Sequence, residues 1–384
     1  MIRAAAKNWQ RVVVVVDPSD YVDLILALDR SEGAPGVERR FTLARKAFSH
    51  TAAYDAAISN WLGARSLDGT ADNFPETLTL QFHRQLAMRY GENPHQQAAL
   101  YREEPTAVAS VPGGRLLQGK ELSYNNVLDL DAALALLGAL SGPAAAVVKH
   151  GNPCGVALAG DPAEALRLAR ASDPMSAFGG IVGLNQPVTA AVAEELLESF
   201  LEAVVAPAFD DEARDRMAAK PKLRLLEVAS LHRESGIDLR SVAGGLLVQT
   251  GDRGSSARGR VATKRAPSDR EWAALDFAWT VVRHVRSNAI VLAHEDRTVG
   301  IGAGQMSRLD SVRLAITKAL SPTAGAVMAS DAFFPFRDGV DTAAAAGVTA
   351  VAQPGGSVRD SEVVAAADAA GIAMVLTGSR HFSH

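Results

Sequence analysis

Cysteine is almost missing from this chain: 384 residues contain one, Cys154. A lone thiol excludes an intrachain disulfide and suits a reducing compartment. Aromatic residues are scarce, at 5%. Charge of one sign is missing too, since 39 Lys+Arg against 43 Asp+Glu leave a formal charge of −4. That balance gives no reason to expect a polyanionic partner, so nucleic acid is set aside. Long apolar runs are also absent. Residues 12–16 are too few for the core of a signal peptide and end at Asp17-Pro18, while the alanine-rich zone 132–148 is broken by Gly138, Gly142 and Pro143 and does not read as a membrane span. What is left is a cytoplasmic globular protein of two or three domains, 48% hydrophobic, with no membrane partner.

What is present alternates. Residues 11–16 form a β-branched run that predicts a strand, 21–28 a helix and 32–36 a loop. From 39 to 62, Phe41, Ala44, Phe48, Ala52, Ile58 and Leu62 recur mostly at helical spacing and predict a long amphipathic helix. Residues 63–75 are polar and glycine-bearing, a linker. Beyond it, 163–171 and 190–206 read as helices, while 144–148, 180–183, 245–248 and 289–293 read as strands. The alternation predicts α/β layers. No internal repeat is legible.

Several strings carry chemistry. The apolar run 144–148 is cut off by Lys149-His150-Gly151-Asn152-Pro153-Cys154-Gly155. Histidine exchanges a proton near neutral pH, and a neighbouring lysine can hold an anion or a developing oxyanion. Two solvated polar residues ending a strand are the plainer alternative. Gly300-Ile301-Gly302-Ala303-Gly304 follows a predicted strand but has GxGxG spacing, without the third glycine of GxGxxG and without a strand-end acid about 20 residues on, so NAD is not expected. A zinc deaminase needs Pro-Cys-x-x-Cys, and no second cysteine exists, so no zinc is expected. Cys154 itself reads as a small buried apolar residue rather than a nucleophile. Arg89-Tyr90-Gly91-Glu92-Asn93-Pro94-His95-Gln96 concentrates donors in one loop, where an arginine suits a phosphate. Residues 330–338 place Phe333, Phe334 and Phe336 together, either core or a stacking surface for a flat heteroaromatic ligand. The terminal Arg380-His381-Phe382-Ser383-His384, taken alone, is a frayed tail.

Taken in order, these strings, with Leu122-Ser123-Tyr124-Asn125-Asn126, Asp173-Pro174-Met175-Ser176-Ala177-Phe178-Gly179-Gly180 and Arg286-Ser287-Asn288-Ala289, resemble the bifunctional purine-biosynthesis family AICAR formyltransferase/IMP cyclohydrolase. The resemblance covers essentially the whole chain. It implies formyl transfer from 10-formyltetrahydrofolate, a co-substrate, to the 5-amino group of AICAR. It implies His150 as base, with Lys149 and Asn288 on the developing charge. Arg89, Tyr90, Gly179, Glu202, Arg380 and Phe382 match nucleotide-binding positions, and Met175, Phe178, Phe333, Pro335 and Asp338 match the folate side. The implied fold is two cytidine-deaminase-like α/β units without zinc over residues 80–384, with active sites shared across a homodimer. A monovalent-cation requirement is left open.

Residues 1–70 depart from the family pattern. They match only the C-terminal part of its methylglyoxal-synthase-like cyclohydrolase domain, with Lys7 the one active-site lysine carried over. The expectation is therefore a formyltransferase whose cyclohydrolase activity is lost by truncation, with exposed apolar surface on the remnant. The alternative is a non-catalytic fragment or dimer partner of the bifunctional enzyme.

Overall fold

The computed structural model describes residues 1–30, 33–232 and 236–384, and divides into two units, Met1–His83 and Arg84–His384. Glu32 of the expected 32–36 loop lies outside the described residues.

The first unit is helical: α1 (Ile2–Lys7), α2 (Tyr21–Arg30) and α3 (Val37–Gly63). Its small core is Ala6, Val14, Ala44 and Ala47, with Trp9 and Phe48 packed against it. The expected strand at 11–16 does not form, because this extended segment pairs with no other strand among the described residues. A β-branched run sets a preference for extended backbone, but a strand also needs a ladder partner. The long helix predicted over 39–62 is α3. On α2, Val22 (67%), Ile25 (56%) and Leu26 (46%) are exposed, so its apolar side faces solvent.

The second unit, from Arg84, begins within a two-stranded ribbon, β1 (His83–Met88) and β2 (Ala98–Arg102). A first six-stranded sheet follows, built from β3 (Arg115–Gln118), β4 (Ala144–Lys149), β5 (Asn152–Leu158), β6 (Ile181–Leu184), β7 (Ala203–Ala206) and β8 (Arg224–Glu227). Its spatial order is β3-β8-β7-β6-β4-β5. Strands β6, β7 and β8 are parallel, whereas β4 runs antiparallel to both β5 and β6. Helix α4 (Tyr124–Leu137) covers one face, with Leu130, Ala133 and Leu134 on Val148, Ile181 and Val205. Helices α5 (Pro162–Ser172), α7 (Ala190–Leu197) and α8 (Asp211–Met217) cover the other, the short α6 (Pro174–Ala177) lying between α5 and β6. The helix expected over 190–206 is therefore half right. It stops at Leu197, and Ala203–Ala206 is a fully buried strand of the parallel set. Such a strand lacks the polar alternation that would have marked it.

After a second ribbon, β9 (Ile237–Val242) and β10 (Gly245–Thr250), the pattern is repeated. Strands β11 (Arg260–Val261), β12 (Ile290–Ala293), β13 (Thr298–Gly302), β14 (Val327–Ser330), β15 (Ala350–Gln353) and β16 (Ala373–Leu376) take the order β11-β16-β15-β14-β12-β13. Strand for strand this is the order of the first sheet. One helix, α9 (Asp269–Val282), again covers one face, and three, α10 (Arg308–Lys318), α11 (Asp338–Ala345) and α12 (Asp360–Ala369), cover the other. The α/β layers expected from the alternation are thus two six-stranded mixed sheets with helices on both faces.

The sheets meet along β5 and β13. Leu158 N–H donates to the Asp296 carbonyl at 2.7 Å, and Ser172 Oγ donates to that of Thr298 at 2.7 Å. The glycine run 300–305 is corrected here: Gly300 and Gly302 lie within β13 rather than in a loop after a strand. A Cβ on Gly302 would stand 1.9 Å from the Ser311 carbonyl oxygen of α10, and one on Gly155 of β5 stands as close, 1.9 Å, to that of Ala169 in α5. These glycines let a helix backbone lie directly on an edge strand.

Candidate active site

Strand β4 carries Lys149 to the sheet's end, and the chain reverses at once through His150 and Gly151, both in left-handed backbone (φ 53 and 70). Asp129 of α4 satisfies the turn, its carboxylate accepting from Gly151 N–H at 2.6 Å and His150 N–H at 3.3 Å. Lys149 Nζ donates to the Phe178 carbonyl at 2.7 Å. Asn152 ties this turn to the second sheet, its Oδ1 accepting from Arg286 N–H at 2.9 Å.

Two residues past Arg286, Asn288 is fixed on three sides. Its Nδ2 donates to the Gln305 and Met306 carbonyls at 2.9 and 3.1 Å, and its Oδ1 accepts from Arg308 Nη2 at 2.7 Å. Arg308 is held in turn by Asp331 (2.5 Å) and Ser330 (2.8 Å), with only 6% of the Arg308 side chain and none of Asp331 exposed. A buried guanidinium paired on both edges is a rigid mount, since loosening it would leave a charge unpaired. The Asn152–Arg286 hydrogen bond thus ties the turn that carries Lys149 and His150 to the segment of the second sheet that carries Asn288.

A cavity of about 230 Å³ opens beside the turn, lined by Lys149, His150, Cys154, Asp173, Ser176 and Lys318 among others. Asp173 pairs with Lys318 at 3.2 Å. Burial alone would raise the Asp173 carboxyl, but hydrogen bonds from Ser176 and then Lys318 outweigh it and hold the group below the usual carboxylate range. Cys154 is not fully buried as expected; it lines this cavity. Burial, and then the nearby Asp173 charge, push its thiol up to about 12, so it is neutral and a poor nucleophile at neutral pH.

The other predicted residues have surroundings of their own. Gly179, at φ 72, follows Phe178 and donates its N–H to the Phe200 carbonyl at 2.9 Å. Glu202 pairs with Arg224 at 2.9 Å. The Phe178 ring lies 5.6 Å from that of Phe200, and Met175 and Phe178 are exposed. Arg89 lies over the Tyr90 ring at 5.8 Å. Of the phenylalanine cluster, Phe334 is core (1% exposed), whereas Phe333 and Phe336 face outward. Pro335 leads into α11, where Asp338 is the first residue. Lys7 belongs to the first unit and is exposed at the end of α1.

The C-terminal tail is not frayed. Ser287 N–H donates to the Ser383 carbonyl at 2.8 Å and His381 N–H to that of Asp331 at 3.0 Å. His381 is buried, and Arg380 lies over the Phe382 ring at 4.4 Å. Asp129, Asn152, Lys318 and the Arg308–Asp331 pair were not singled out in sequence. Asn152 and Asp331 lie inside strings that were, but Asp129, in the middle of α4, and Lys318, the last residue of α10, carry no local signal.

Among the described residues no helix is long and apolar enough to cross a membrane, and no group of three or more His, Cys, Asp or Glu is placed to hold a metal ion.

Residues 5–318 match the family model described as AICARFT/IMPCHase bienzyme. Over its whole length the chain is 52% identical to the bifunctional purine biosynthesis protein PurH of Magnetococcus marinus, covering 75% of that protein. It is 54% identical to the PurH of an Anaeromyxobacter species, covering 76%, and 51% identical to that of Acidithiobacillus ferrooxidans, covering 75%. The chain thus spans about three quarters of the length of these relatives.

Proposed function

The chain belongs to the AICARFT/IMPCHase bienzyme family, an enzyme family of purine biosynthesis, and on that premise we propose that its second unit transfers a formyl group from 10-formyltetrahydrofolate to the 5-amino group of AICAR, giving FAICAR. The observation that carries this reading is the Asn152–Arg286 hydrogen bond, which ties the Lys149–His150 turn of one sheet to the segment that carries Asn288 in the other.

The acceptor amine is conjugated with its imidazole ring and carboxamide, so it attacks poorly unless its proton is removed as the new bond forms. His150 takes that proton. The amine nitrogen bonds to the formyl carbon, whose oxygen becomes an oxyanion; the Lys149 ammonium stabilises that charge, with Asn288 beside the reacting formyl group. Collapse restores the carbonyl and expels N10 of tetrahydrofolate, which receives a proton. Arg89, Tyr90, Gly179, Glu202, Arg380 and Phe382 hold the nucleotide, with the guanidinium groups suited to its phosphate. Met175, Phe178, Phe333, Pro335 and Asp338 hold the folate. A homodimer with shared sites accommodates the exposure of Met175 (87%) and Phe178 (60%) in the single chain.

For the first unit the reading is no ring closure of FAICAR to IMP. An exposed Lys7 supplies neither positioning nor a dry site. IMP formation above the uncatalysed rate, lost on Lys7→Ala, overturns that part.

The deciding experiment follows absorbance when the purified chain meets AICAR and 10-formyltetrahydrofolate. AICAR-dependent release of tetrahydrofolate is expected. A folded, monodisperse sample that releases none would favour the second reading, a non-catalytic partner of a bifunctional enzyme.

A further inference from the structure

One buried cluster is used by none of the steps above. His381 is 4% exposed and engaged on both ring nitrogens, with Nδ1 2.5 Å from Asp252 Oδ2 and Nε2 2.8 Å from Ser255 Oγ. Trp279 of α9 closes the set, its ring edge-on to the imidazole at 5.3 Å and its indole N–H donating to Ser255 Oγ at 3.3 Å. A serine, a histidine and an aspartate in this order would suggest a nucleophilic triad. Here the serine oxygen already accepts the indole N–H, and the histidine is sealed in the core, so the arrangement holds rather than reacts.

What it holds is the tail. In extended backbone neighbouring side chains point to opposite sides. His381 points into the protein, and the flanking Arg380 and Phe382 stack on each other at 4.4 Å. The tail's backbone is stitched to Asp331 and to Ser287, which adjoins Asn288. Asp331 also grips the Arg308 that orients Asn288. Asp252 is itself braced by Gly254 N–H at 2.8 Å. One ring therefore seats a segment that touches the nucleotide side and the Asn288 mount together.

We propose that Asp252 and Ser255, closing on His381 from the loop after β10, are positioning residues for AICAR: they seat the C-terminal tail so that Arg380 and Phe382 are presented to the nucleotide. This rests on the formyltransferase reading for the identity of the ligand. The loop touches no substrate and acts only through the tail. Its loss weakens the nucleotide and spares the folate, whose predicted contacts lie on α6 and after β14.

The test uses the full chain with Asp252→Ala, Ser255→Ala and, as the conservative control, Asp252→Asn, which keeps an oxygen for the imidazole. Three quantities are read: amide exchange of residues 378–384 without ligand, AICAR affinity by calorimetry, and KM for both substrates. Asp252→Ala is expected to speed tail exchange and weaken AICAR about tenfold, the scale of one charge-assisted hydrogen bond. KM for 10-formyltetrahydrofolate stays within about twofold, and Asp252→Asn and Ser255→Ala fall between it and the wild type. Unchanged tail exchange, unchanged AICAR affinity, or equal weakening of both substrates overturns the proposal, the last because it reports a general loss of structure. If Asp252→Ala does not fold, the same criteria apply to the two milder variants. The wild-type chain reports separately on the function: failure to release tetrahydrofolate sinks that reading, while tail exchange still judges the latch.

Discussion

His150 is the one non-glycine residue with positive φ among the described residues. Left-handed backbone is unfavourable for an L side chain by about 1 kcal/mol, so a residue kept there is kept for what its side chain does. The Asp129 carboxylate holds the turn in place by accepting from the His150 and Gly151 N–H groups. His150→Ala is expected to cut formyl transfer at least about a hundredfold, the usual weight of a positioned base, while AICAR affinity stays within about tenfold, or about 1.4 kcal/mol. His150→Gly should be as inactive yet melt no lower than the alanine variant, because glycine tolerates the turn. Steady-state tetrahydrofolate release and thermal melts check both, and wild-type turnover in either variant removes His150 as base. The Lys149–His150 pair was legible because strand, turn and side chains fall within a few consecutive residues. Asp129 was not, since its partnership with Gly151 closes over 22 residues and leaves no mark in either segment.

Among the elements, α9 shows how local rules add to packing. Ser268 and Glu271 form a reciprocal capping box at its start, and Arg265 grips the same carboxylate with two bonds of 2.8 Å. Arg265 is the main cause holding the Glu271 carboxyl at about 2, against burial and helped by Ser268 N–H. A depressed carboxyl stabilises the fold fully above its unfolded value, 4.5, and that contribution drains away as pH falls from about 4.5 to about 2. Glu271→Gln should therefore lower stability by about 1 kcal/mol at pH 7 and flatten this acid limb, as read from urea midpoints against pH. A limb of unchanged slope would place its cause elsewhere. Gly302, at the end of β13, and Gly304, just beyond it, give a second contrast. Gly302→Ala must push α10 away and should cost about 1–3 kcal/mol, while at Gly304 a Cβ meets nothing within 4 Å and only the φ of +67 is penalised, by about 1 kcal/mol. Denaturant midpoints of the two variants rank them. The helices with an amphipathic stripe were readable in sequence. The buried β7 was not, because a strand covered on both faces carries the same apolar residues as a helix end.

Across the whole molecule, the two sheets share one strand order, which the sequence hides because burial constrains residue class rather than identity. Superposing the two halves by strand order makes β12 the counterpart of β4. The first residue after β4 is His150; the first after β12 is His294, and where Lys149 precedes the one, Ala293 precedes the other. The chain thus contains two copies of a strand-end imidazole, one beside an ammonium group and the cavity, the other beside a methyl. His294→Ala should leave formyl transfer within about twofold of wild type, and a larger loss would make the second copy a participant. If it holds, the molecule carries its own internal standard: any reagent or spectroscopic label that reads imidazoles reports His150 against a matched spectator in the same chain.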